Sequence, residues 1–201
     1  MERATDFDPH RVAYYEKAGW EAYYDRNWLR AFWLLVRLSR AQFRMGWLAA
    51  LSAALDTVRA SVAFAPLERN DVPKATTHIR QFYEKARRSL SIEADAETLA
   101  RLEMDYWVVH RQRAIARAKN PDDDSEPLVP SLTRLHAALF NSTPEAMRES
   151  AEHRARAADT VDLITSRRST DVPGDWRRVE EHLRQAYRAV KRDAQSMNAH
   201  G

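Results

Sequence analysis

Hydrophobic positions recur every three to four residues along almost the whole chain, the period of a helix with one buried face. No convincing strand alternation interrupts them. Helix starts are expected at Asp8-Pro9, Gly46, Pro73, Asp95, Ser131, Thr143-Pro144 and Asp175, mostly because these sites supply a capping oxygen or a first-turn proline. Near Asp25-Arg26-Asn27 the apolar face changes sides. Val12, Tyr15, Gly19, Trp20 and Tyr23 precede it, and Trp28, Leu29, Phe32, Leu35, Val36 and Phe43 follow on the opposite side of a continued wheel. That shift predicts a break, although one helix over 9–45 buried on different sides fits the same pattern. Over 46–65 the row Trp47, Leu48, Leu51, Ala54, Leu55, Val58 and Val62 predicts a strongly buried helix ended by Pro66. The expected fold class is all-α, a mostly antiparallel bundle of six to seven helices.

The informative positions are those where the pattern fails. On residues 99–114, Leu99, Leu102, Tyr106, Trp107, Val109 and Ala114 share an arc whose centre holds Glu103 and His110. A carboxylate or imidazole on a buried face needs a partner, because an unpaired buried charge costs several kcal/mol or shifts its protonation. Candidate partners show the same anomaly. Glu16 sits amid the apolar face of the first helix, and Arg154 and Asp162 lie on an inward arc of small residues after Thr143-Pro144. His78, at a flank, and His153, off its arc, are weaker candidates.

The 201 residues suffice for one sizeable core, and nothing marks a boundary, so a single domain over 1–201 is expected. An acidic, proline-rich loop over 119–130 would join two helical halves, and the tail over 193–201 would fray. That loop lacks the glycine and ligand spacing of a calcium site. With 44% hydrophobic and 30% charged residues the chain should fold. A net charge of +3 leaves only local clusters to bind nucleic acid. The absence of cysteine excludes disulfides, thiolate zinc sites and a cysteine nucleophile. Residues 1–10 carry acids and no apolar run, and the most apolar region, 28–65, is interrupted by arginines. No membrane insertion and a cytoplasmic location are therefore expected. No internal repeat, phosphate-cradling glycine loop, serine elbow or paired-histidine zinc motif is present.

Three chemistries suit the inward polar residues. Glu16, Glu103, His110 and Asp162 would make an oxygen and imidazole metal site between helices, better matched to iron or manganese than to structural zinc. The Glu103 and His110 spacing is similar to one ligand pair of haem-oxygenase-like diiron oxidases. That likeness covers a single helix, and the family's later histidine, acid, histidine cluster has no counterpart here. Alternatively Glu103 and His110 would act as catalytic acid and base on a small molecule held by Tyr15, Tyr23, Tyr106, Trp107 and Arg154. The third reading makes the same residues a buried network that only fixes helix packing, as in a structural or interaction module that self-associates as a homodimer. Separately, Arg26, Arg30, Arg37, Arg40 and Arg44 form a stripe beside Trp33, which would be a solvated face or a weak phosphate or nucleic-acid grip.

Overall fold

The computed structural model describes residues 2–120 and 128–199. Among them lie eight α-helices, one more than the upper end of the expected number: α1 (Pro9–Tyr24), α2 (Trp28–Phe43), α3 (Trp47–Phe64), α4 (Val72–Ser89), α5 (Ala96–Lys119), α6 (Leu128–Phe140), α7 (Pro144–Thr165) and α8 (Val172–Ala199). Two short strands, β1 (Glu2–Arg3) and β2 (Leu90–Ser91), pair in parallel. Most of the acidic loop lies outside the described residues. Helix α8 continues to Ala199, past the point where fraying was expected.

The break between α1 and α2 is real and has a local cause. Arg26 adopts φ 59°, and the Asn27 amide donates back to the Ala22 carbonyl, five residues earlier. The Asn27 side chain then accepts from the Arg30 amide to open α2. Left-handed residues at Asn141 and Arg167 end α6 and α7 with the same five-residue return bond, from the Ser142 amide to Ala137 and from the Arg168 amide to Leu163. Side-chain caps from Asp8, Asp71, Asp95 and Thr143 start four other helices. The start of α8 differs from expectation. Asp171, not Asp175, accepts from a first-turn amide, that of Gly174, and a Cβ at Gly174 would collide with the Asp171 carboxylate. Asp175 is instead buried, bonded to Ser169 and Arg178.

Helix α7 packs between α6 and α8, α8 also packs on α1, and α3 packs on α2 and α4. In α3 the buried face is not the bulky one. Ala50, Ala53, Ala54 and Ala60 point inward, whereas Leu48 is 84% exposed and Leu55, Val62 and Trp47 also face out. Alanine allows the neighbouring helices to approach closely, which displaces the larger side chains to the outside. Trp28 and Leu29, expected in the core, are exposed as well. By length and composition alone α3 could cross a membrane, and it is the one helix among the described residues to pass that measure. It nevertheless carries Asp56, buried and paired with Lys85 of α4 at 2.5 Å.

Candidate functional site

Between the helices lies a partly open cavity of about 700 Å³, lined by residues from all eight described helices. Its rim is formed by Tyr23, Tyr24, Leu67 and Ile115, each lining the cavity and exposed on its outer side. All nine residues singled out from the sequence line it: Tyr15, Glu16, Tyr23, Glu103, Tyr106, Trp107, His110, Arg154 and Asp162. The remaining walls are chiefly apolar, with Leu35, Leu38, Phe82, Leu135 and Leu139 among them.

The polar residues divide into three groups. In the first, Arg154 of α7 lies 2.6 Å from Glu16 Oε1 of α1, and the Tyr187 hydroxyl of α8 donates to Glu16 Oε2 at 2.6 Å. The Arg154 guanidinium also lies 5.7 Å from the Trp20 ring centre and 5.9 Å from that of Tyr106. Burial alone would disfavour its charge, but the partners outweigh that penalty, Glu16 foremost and then Tyr187 and Tyr106, and hold the guanidinium firmly protonated. The Tyr187 hydroxyl is held well above the ordinary tyrosine range by burial and by the Glu16 charge.

The second group centres on Glu103 of α5, which accepts from the Trp107 indole at 2.9 Å and from the Tyr83 hydroxyl of α4 at 3.0 Å. Both donors are neutral. Burial raises its carboxyl above the ordinary glutamate range, and Arg154 and the two hydrogen bonds only partly offset that rise.

The third group is the pair His110 and Asp162, where His110 Nε2 lies 3.3 Å from Asp162 Oδ1. The alignment of a hydrogen bond is missing. His110 Nε2 and Asp162 Oδ2 are both buried with no hydrogen-bonding partner. Behind His110, the Tyr106 ring is stacked at 5.9 Å and 15°.

This division gives no support to the expected metal site. Among the described residues no group of three or more His, Cys, Asp or Glu could hold a metal ion. Arg154 binds Glu16 directly, and its positive charge also acts on Glu103, so a guanidinium meets the charge of those two acids. The pairing of Glu103 with Trp107 and of His110 with Asp162 likewise departs from the diiron ligand pair that their spacing resembles.

Sequence reasoning missed Tyr83, His136 and Arg111. Tyr83 sits on the apolar face of α4 and gives no signal until α5 is placed against it. His136 is buried on α6 beside the cavity, with Nδ1 2.9 Å from Ser150 Oγ, and burial followed by the Arg154 charge lowers its pKa to about 3. Arg111, expected on an outer face, lies over the Phe64 ring at 3.6 Å and donates to the Phe64 and Pro66 carbonyls at 2.6 and 3.2 Å. Of the arginine stripe, Arg40 packs over Trp47 at 3.7 Å, and Arg26, Arg30 and Arg37 are exposed. Compared with models of known families, with curated proteins and with solved structures, the chain has no match in any of the three.

Proposed function

We propose that the protein binds a small, largely apolar organic molecule in the central cavity. The observation that carries this reading is the pairing of a cavity of about 700 Å³ with two buried polar atoms, His110 Nε2 and Asp162 Oδ2, that nothing among the described residues satisfies. Small-molecule sites span roughly 300–1,000 Å³ and combine apolar walls with a few convergent polar groups. Leaving a buried polar atom without a partner costs about 1–3 kcal/mol, which a ligand supplying that partner would recover. Glu16, Arg154 and Tyr187 already satisfy one another and serve to fix α1, α7 and α8 around the site.

Titration with N-phenyl-1-naphthylamine, a neutral probe that fluoresces in apolar surroundings, tests the reading. Saturable one-to-one uptake is expected, and Ala158→Phe, which fills the cavity from α7, should weaken it at least about tenfold while helical circular dichroism is retained. Uptake that never saturates, or that ignores the filled cavity, would overturn the proposal.

A further inference from the structure

The cavity's charges go further than its volume and point to a class of ligand. Three carboxylates line it, Glu16, Glu103 and Asp162, against two guanidinium groups, Arg154 and Arg111. Arg154 is committed to Glu16 at 2.6 Å. Arg111 is turned toward the end of α3, where its Nη1 donates to two backbone carbonyls and its plane covers Phe64. Among the described residues Glu103 receives hydrogen bonds from the neutral donors Trp107 and Tyr83 alone, and the ion-pairing neighbour of Asp162 is His110. The interior therefore has an excess of acid, and one of its carboxylate oxygens, Asp162 Oδ2, has no donor.

From this geometry we infer that the ligand is an organic cation, an apolar body ending in a protonated amine seated against Asp162. An ammonium has three donors and no acceptor, so it satisfies Asp162 Oδ2 and supplies the missing positive charge in one contact. A hydroxyl supplies the donor alone. A carboxylate would bring a further negative charge to a site that already has too many. Tyr106 and Trp107 line the same cavity, and its apolar walls receive the body. With its Nε2 beside the same carboxylate, His110 closes the contact from α5.

The inference rests on the cavity-binding reading, and the test separates the two. Isothermal titration of the full chain would compare 6-phenylhexylamine, 6-phenylhexan-1-ol and 6-phenylhexanoate, which share a body and differ in the terminal group. The amine should bind at least about tenfold more tightly than the alcohol, with the carboxylate weakest. Asp162→Asn, which keeps the shape and removes the charge, should bring the amine down to the alcohol's affinity. An alcohol or carboxylate that equals the amine, or an amine preference that survives Asp162→Asn, overturns the cation assignment and leaves the cavity reading intact. Absence of binding by all three probes overturns the cation assignment, and the naphthylamine titration then decides the cavity reading alone. Should Asp162→Asn fail to fold, the ranking on the wild-type chain decides the matter alone.

Discussion

The Arg154 guanidinium of α7 lies 2.6 Å from the Glu16 carboxylate of α1, and both side chains are largely withdrawn from solvent. Each needs the other, because a single charge left in that position has no water to replace its partner. Removing one should be costly. Arg154→Met or Glu16→Ala is expected to lose roughly 3–5 kcal/mol, a fall in Tm of about 10 °C for a chain of this size. The double variant, with no orphaned charge, should be more stable than the sum of the two losses predicts. Thermal melts of the three proteins check this, and strict additivity would show that the pair does not act as a unit.

Glu103 gives stability an unusual pH dependence. Its folded-state pKa lies above the unfolded value because burial penalises the charge. Between the two values the folded state holds more protons than the unfolded one, so this contribution weakens as pH rises through that window. Glu103→Gln removes the titration and keeps the contacts, since an amide oxygen can accept from Trp107 and the amide nitrogen can donate to Tyr83. Urea melts should find the variant more stable than wild type at about pH 7, with the advantage fading toward about pH 4. An advantage that does not change with pH would mean that Glu103 is not the titrating group.

Much of this organisation was legible in the sequence, and the failures share physical causes. Caps such as Asp8, Asp95 and Thr143 act through bonds two or three residues away, so their neighbours reveal them. The ends at Arg26 and Arg167 are left-handed without glycine or asparagine, and an arginine there sends no signal. In α3 the choice between an alanine face and a leucine face depends on how closely α2 and α4 approach, which is a tertiary fact. The inward acids of separate helices line one cavity. What they could not reveal was the partner each acid takes, because a side chain's reach across a bundle is decided by helix rotation. Metal coordination by four groups and satisfaction by Arg154, Tyr83 and Trp107 look alike on a helical wheel.

Buried His136 makes the bundle sensitive to acid. Burial, and then the charge of Arg154, lower its pKa from 6.5 to about 3. Across that interval the unfolded chain binds a proton that the folded one refuses, so stability is lost as pH falls from the first value toward the second. The full linkage amounts to roughly 5 kcal/mol at most. Replacing it by asparagine sets an acceptor near the position of Nδ1, within reach of Ser150. Denaturation free energies measured between about pH 6.5 and pH 3 should fall less steeply in His136→Asn than in wild type. Equal slopes would assign the acid sensitivity elsewhere.

Arg111 clasps the rim of the cavity. Reaching from α5, it donates to the carbonyls of Phe64 and Pro66 and stacks on the Phe64 ring, binding the last turn of α3 to the wall opposite. The carbonyl end of a helix is its negative pole, so a guanidinium there gains from the dipole as well as from the hydrogen bonds. Leu67, which lines the cavity and is 73% exposed, follows immediately in the chain and depends on that anchor for its position. In Arg111→Ala the end of α3 should open more often, raising amide exchange there about tenfold while α8 exchanges as before. Entry and release of the naphthylamine probe should then accelerate together, because a looser rim lowers the barrier in both directions while the interior that sets affinity is left in place. A loss of affinity carried by faster release alone, with entry unchanged, would mean that Arg111 holds the ligand itself and does not govern the opening.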